Sequence, residues 1–321
     1  MIAAMEIRTS RQSILPASAV APLCERSDPR GLARLAAHLA LLALTGAMIA
    51  ATAGWWRLPA LVLHGIVLTA LFAPLHESVH RTAFRSRWLN DVVATVIGLL
   101  LVLPAGYYRR FHFAHHRFTQ DPKRDPELAI AKPETPGRYL LYLSGAFYWR
   151  AALTNLLRHA AGRVQAPFVP ARERRQVVWE ARVHLVFYAA VLAPAFAGTM
   201  TLALWYWLLP VLLGQPFLRG YLLAEHTGCP EMPEDMLANT RTVLGNRPVR
   251  SLMWNMPFHT EHHTFPAVPF HALPRLHALM AAKLQATAPG YGAFHRGYLA
   301  ALRNGEGKAF VHPPLLTASA D

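Results

Sequence analysis

The chain has 321 residues, 53% hydrophobic and only 16% charged, where a soluble domain carries about a quarter charged residues. Its two cysteines, Cys24 and Cys229, stand far apart with no CxxC, which excludes a cysteine-ligated iron–sulfur or zinc centre and a disulfide framework. The formal net charge of +14 sits beside apolar runs rather than on a basic amphipathic stripe. It points away from nucleic acid and toward arginines held on the cytoplasmic side of a bilayer, with docking of an acidic electron donor as a second use.

Residues 1–31 mix Pro, Ser, Arg and Ala without a sustained period and read as a flexible cytoplasmic arm, with no cleavable signal peptide evident. A membrane domain is expected over 32–283, followed by a cytoplasmic tail at 284–321. The run 35–56 is almost wholly apolar and matches the roughly 20 residues needed to cross a bilayer. Trp55 and Trp56 stand at its end, where an aromatic belt would place them. A second run, 58–75, ends directly in His76, and further spans are expected at 183–199 and 200–223.

Charge asymmetry orients these spans. The turn after the first carries only Arg57, and the turn at Gly198 and Thr199 carries no charge. Arg81, Arg85 and Arg87 follow the second, while Arg158, Arg163, Arg172, Arg174, Arg175 and Arg182 lie ahead of the third. Both termini therefore belong in the cytoplasm. The stretch 91–108 is long enough to cross, but crossing would put a bilayer between histidine clusters that belong together. It reads as interfacial or re-entrant, with Pro104 and Gly106 near its end. The stretch 138–159, interrupted by Arg150 and Arg158, reads as one interfacial helix. The expected fold is an all-α integral membrane protein, with four membrane helices in two hairpins.

Seventeen histidines are the outlier in the composition. Three groups stand out: His76 with His80, then His112 with His115 and His116, then His259 with His262 and His263. Helical positions three and four residues apart share a face, so each group aims its imidazoles in one direction. Eight imidazoles are too many for one zinc, and their grouping favours two metal ions in a shared site. Imidazole also binds Fe, Cu and Ni, so ligand type alone does not select the metal.

These groups resemble the three histidine boxes of the membrane fatty acid desaturase and hydroxylase superfamily, in order and with fitting separations, over roughly residues 58–280. The resemblance implies four membrane helices, a cytoplasmic cap and two iron ions held almost entirely by histidine. A ninth ligand near the end of the fourth span corresponds to His226 in Ala224-Glu225-His226-Thr227-Gly228. In some desaturases an asparagine four residues earlier acts through water; Leu222 stands there, leaving one coordination position unexplained. The first box reads His76-Glu77 where many relatives have His-Asp. Glu77, Asp121, Asp125 and Glu261 are candidates to orient neighbouring imidazoles, as carboxylates commonly do around a metal. No substrate-binding residue is assigned.

The implied reaction uses O2 to oxidise an unactivated C–H bond in a lipid, desaturation of a fatty acyl chain being the first reading. Hydroxylation of an acyl lipid, headgroup, carotenoid or alkane is the second. Neither a His-Pro-Gly-Gly motif nor rubredoxin cysteines occur, so electrons are expected from a separate protein such as a ferredoxin. A membrane zinc hydrolase or metal transporter is the alternative of another class. Nine ligands exceed a hydrolase's needs, and a transporter is expected to place ligands near mid-bilayer.

Several residues carry a plainer reading. His38, His64 and His184 lie in or beside spans without clustered partners and are either paired structural groups or substrate contacts. His159, His271, His277, His295 and His312 read as ordinary polar residues. Pro210, Gly214, Pro216 and Gly220 either relieve packing or kink the fourth span. Trp254, Met256, Pro257, Phe258, Phe265 and Pro266 read as core ahead of a substrate slot.

Overall fold

The computed structural model describes residues 14–199 and 201–313. The start of the expected arm (1–13), the end of the tail (314–321) and Met200 in the expected fourth span lie outside them. Three apolar stretches are long enough to cross a membrane: Asp28–Ala51, Gly54–His80 and Ala171–Phe196. The first and last are 17% buried against protein, while the middle one is 72% buried. The middle stretch is thus the central element, and its neighbours present Leu44, Val186 and Phe196 outward, as lipid-facing helices would.

The first helix, α1 (Asp28–Ala51), starts earlier than its apolar run suggests. Ser27 accepts the Arg30 N–H, and Asp28 accepts both the backbone N–H of Ser86 (2.8 Å) and its hydroxyl (2.6 Å). Residues just ahead of it, placed above in the arm, pack inward through Leu15 and Leu23. The central stretch is two helices, α2 (Arg57–Thr69) and α3 (Phe72–His80). Arg81, in the left-handed region at φ 60°, ends α3, and its guanidinium pairs with Asp91.

A helix α4 (Arg87–Leu101) runs into a 97° bend before α5 (Ala105–Phe118), so this stretch does not continue as one straight crossing. Val102 adopts φ 56° and Leu103 N–H returns to Gly98 O at 2.8 Å, closing α4. Three side chains cover the carbonyls left at that end. Tyr188 Oη donates to Leu99 O (2.9 Å), Trp207 Nε1 to Leu100 O (2.7 Å) and Tyr148 Oη to Leu101 O (2.8 Å). A helix end at membrane depth is tolerated only when its backbone is so satisfied. The N-terminus of α5 is capped from the third stretch: Glu180 accepts from Gly106 N (2.8 Å) and Tyr107 N (3.1 Å).

The expected interfacial helix divides at Gly145 (φ 79°) into α6 (Pro136–Leu143) and α7 (Ala146–Ala160). Beyond them runs α8 (Arg174–Phe196), which starts well before the expected 183. The expected span 200–223 is broken into a π-helical turn (Leu204–Leu208), α9 (Leu209–Leu213) and α10 (Gln215–His226). Pro210 brings no N–H to the helical ladder and Pro216 opens the next segment, which is why the run is not one regular helix.

Gly214 is a close-approach residue: a Cβ there would fall 2.1 Å from Gly65 O, and one on Gly65 would fall 2.3 Å from Pro210 O. Small residues let α2 and α9 touch through their backbones. Gly65→Leu is therefore expected to destabilise the fold by roughly 3 kcal/mol, read as a lower melting temperature of the purified protein.

Two short helices complete the histidine region, α11 (His259–Thr264) and α12 (Leu273–Met280). The segment read as a tail folds back: Thr287–Ala288 pairs in parallel with Thr242–Val243, and α13 (Tyr291–Arg303) buries Phe294, Tyr298 and Leu302 against Leu223 and Ala224.

Candidate metal centre

The end of α3, the C-terminal half of α5, the end of α10 and all of α11 meet in one buried place. Their imidazoles form two sets. His76, His80, His112, His116 and His262 present nitrogens all within 4.8 Å of one another, as do His115, His226 and His263. His259 joins the second set, with Nε2 3.2 Å from His226 Nε2 and its ring 4.5 Å from that of His263. Thus all nine sequence-derived candidates come together, from positions up to 187 residues apart (263 minus 76).

Local spacing explains the aim within each helix, but the convergence comes from packing. His116 Nε2 lies 3.0 Å from His112 Nε2 and 3.2 Å from His262 Nε2, and His115 Nε2 lies 3.2 Å from His226 Nε2. The interior offers His76 Nδ1 and Nε2, His80 Nε2 and His263 Nε2 no hydrogen-bond partner among the described residues. Buried polar nitrogens left unpaired are costly. A cation that accepts the one lone pair each neutral ring offers removes that part of the cost, so the donor set fits a metal. Burial holds the His262 and His263 imidazoles well below their usual pKa, with further depression from neighbouring imidazoles. Neutral imidazole is the metal-binding form.

Of the four acids expected to orient imidazoles, Asp125 does so: His115 Nδ1 donates to its Oδ1 at 2.9 Å, turning Nε2 toward the second set. Asp125 itself is held by the N–H groups of Gln120 and Glu127. The other three bond outside the nine, Glu261 to a different imidazole. Asp121 closes its own turn on Lys123 N and Arg124, and Glu77 accepts from Thr82 Oγ1 (2.9 Å) and Phe270 N (3.0 Å). Glu261 bonds Thr242 Oγ1 and His277 Nδ1, each at 2.5 Å. His277 is thus no ordinary surface residue: it stacks on Phe258 and braces the acid inside α11.

Sequence reasoning missed three groups here, one of them Glu225, whose Oε1 lies 3.4 Å from His259 Nδ1. Glu127 Oε2 lies 3.4 Å from His115 Nε2, while its Oε1 accepts from Lys132 Nζ at 3.0 Å. Burial opposes charge on both, yet Lys132 holds the Glu127 carboxyl below its usual range and Glu127 raises the Lys132 ammonium. Asn239 O accepts from His226 Nδ1 at 3.2 Å. The signal for Glu127 was Asp125-Pro126-Glu127, a short turn that necessarily carries the second acid beside the first.

His38, His64 and His184 each bond a backbone carbonyl, of Val67, Tyr206 and Glu180 respectively. None lines the chamber beside the imidazoles. That cavity, of 570 Å³, reaches His76, His112, His115 and His259 and is walled by such residues as Phe72, Leu101, Tyr108, Leu222 and Met256. Trp254 and Phe258 are buried in the core instead. His159, read as an ordinary polar residue, is buried against Tyr107 on the cavity wall.

Apolar spans, a buried histidine cluster in two sets and a largely apolar chamber beside it define a membrane protein with a site able to hold metal. The chain belongs to the fatty acid desaturase family, whose profile matches residues 27–295, and is accordingly an integral-membrane oxidoreductase. It is 25% identical to the dihydrorhizobitoxine desaturase of Bradyrhizobium elkanii over 74% of this chain and 70% of that protein. Against the sn-1 oleoyl-lipid 12-desaturase of a Picosynechococcus strain it is 26% identical, over 75% and 74%. The rat sphingolipid delta(4)-desaturase/C4-monooxygenase is 26% identical, over 68% and 64%.

Proposed function

We propose that the chain is a di-iron enzyme that uses O2 to oxidise an unactivated C–H bond of a lipid, removing two hydrogens to leave a double bond. The observation that carries this reading is the meeting of imidazoles from three helices, nitrogen to nitrogen at 3.0–3.2 Å, with those of α3 within 4.8 Å of their set, beside a largely apolar chamber. One iron would be held by His76, His80, His112, His116 and His262, the other by His115, His226, His259 and His263. Glu127 would supply the ligand left unexplained by Leu222, since its Oε2 lies 3.4 Å from His115 Nε2. Bound there, the iron pair supplies O2 activation and hydrogen abstraction.

The remaining work belongs to the chain. Asp125 fixes the His115 tautomer, and Asn239 O does the same for His226. Phe72, Tyr108 and Met256 exclude water and lay the substrate beside His76 and His112. The proposed topology has four crossings in two hairpins, with both termini and the metal centre cytoplasmic, in a bacterial inner membrane. Electrons come from a separate protein of ferredoxin type, docked by charge on the basic cytoplasmic face.

Hydroxylation is the second reading, favoured by the rat relative whose name joins desaturase and monooxygenase. A zinc hydrolase is disfavoured by the ligand number, and a transporter by the position of the cluster at helix ends. Two measurements test the proposal. Purified protein is expected to hold a pair of iron atoms per chain; a single zinc with no iron overturns it. Lipids of an expressing host are expected to lose two hydrogens; gain of one oxygen atom instead selects the hydroxylase.

A further inference from the structure

The chamber carries the carboxyl groups of Asp125, Glu127 and Glu225 beside the imidazoles, and a second polar wall stands apart from them. On α10, Arg219 and Gln215 stand one turn apart and both line the cavity. Arg219 lies over the Tyr148 ring at 4.3 Å, its Nε is buried with no hydrogen-bond partner, and no ion pair holds the guanidinium among the described residues. Gln215 is 2% exposed; its amide N–H reaches Val211 O at 3.3 Å, but its Oε1 has no partner.

A charged side chain at membrane depth is costly, and such groups face a cavity or a partner. Here both a fixed cation and a free acceptor face the same chamber. Packing does not require them: Phe or Leu would fill such a wall without leaving polar atoms unmatched. We propose that Arg219 is the anchor for an anionic oxygen group on the substrate, a carboxylate or phosphate, with Gln215 accepting from a hydroxyl or N–H beside it. This rests on the reading of the cavity as the substrate chamber and deepens it to a substrate class: an amphiphile whose acidic head enters the protein.

The guanidinium fork matches a carboxylate or phosphate edge and, being weakly hydrated, tolerates burial better than an ammonium. Tyr148 holds it from the side, and the Tyr148 hydroxyl is itself tied to Leu101 O, so the cation is held in place. Seven residues separate Arg219 from His226 on the same helix, roughly 10 Å along its axis. That offset fixes which C–H bond of a substrate anchored at Arg219 lies beside the imidazoles.

The test is equilibrium binding of labelled palmitate and methyl palmitate to the purified full-length, metal-loaded protein in neutral detergent. Wild type is expected to prefer the acid by about tenfold or more. Arg219→Gln is expected to erase that preference while keeping wild-type metal content and melting temperature, and Arg219→Lys to keep some of it. Displacement of palmitate by dipalmitoyl phosphatidic acid at lower concentration than by unlabelled palmitate assigns the anion to a lipid phosphate; weaker displacement assigns it to a free carboxylate. Equal binding of acid and ester by wild type, or an unchanged preference in Arg219→Gln, overturns the proposal. Binding does not depend on turnover, so a protein that holds no iron yet shows the acid preference sinks the oxidase reading and leaves the anion site standing.

Discussion

Replacing His262 or His115 by alanine is expected to abolish turnover while the protein remains folded in the membrane. The two variants probe different halves of the site. His262 closes the five-imidazole set, 3.2 Å from His116 Nε2, whereas His115 belongs to the other set, 3.2 Å from His226 Nε2. Each change removes one donor from the proposed di-iron centre, so the loss is expected to exceed the 10–100-fold typical of disturbing an outer partner, at roughly 1000-fold or more. Membrane retention is expected because the apolar faces of α1, α2 and α8 are untouched. Metal analysis of each purified variant is expected to show loss of iron from the affected half. Activity preserved in both variants would remove the ligand assignment altogether.

Asp125→Asn is expected to lower activity and metal affinity by about 10–100-fold, with the larger change in iron retention. The carboxylate accepts from His115 Nδ1 and from two backbone N–H groups, so it is fully used in its ionised form. An amide in its place is isosteric but presents a donor where three donors already point inward. The His115 ring is then free to turn or to place its proton on the nitrogen that faces the second set. Asp121→Asn provides the contrast, because Asp121 bonds only its own turn. Its expected effect on iron content is slight, and an equal loss in the two variants would return Asp125 to a structural role.

Much of the site was legible because its signals are local. An H-x-x-x-H pair or an H-x-x-H-H group on a helix puts its imidazoles on one face whatever the rest of the fold does, and α3, α5 and α11 obey that rule. His226 was legible only through resemblance, since one histidine at a helix end has no spacing to betray it. The spans were legible as apolar runs, but their ends were not. Asp28 belongs to α1 because Ser86 supplies its hydrogen bonds from far along the chain, and α8 extends past several arginines to place Glu180 on the N-terminus of α5. Both extensions depend on partners that hydropathy does not register.

Composition and spacing by themselves determined the chemistry: imidazole donors rather than thiolates, more donors than one zinc accepts, and apolar helices long enough for a bilayer. These follow from residue type and helical period, which need no partner. Tertiary structure alone decided how nine imidazoles divide into two sets, which acid of four touches one of them, and that Glu127, Lys132 and Arg219 face the same region. The reason is that these are distances between helix ends remote in sequence. They are set by backbone contact at Gly65 and Gly214, and by the tyrosines and tryptophan that let α4 stop at depth and turn.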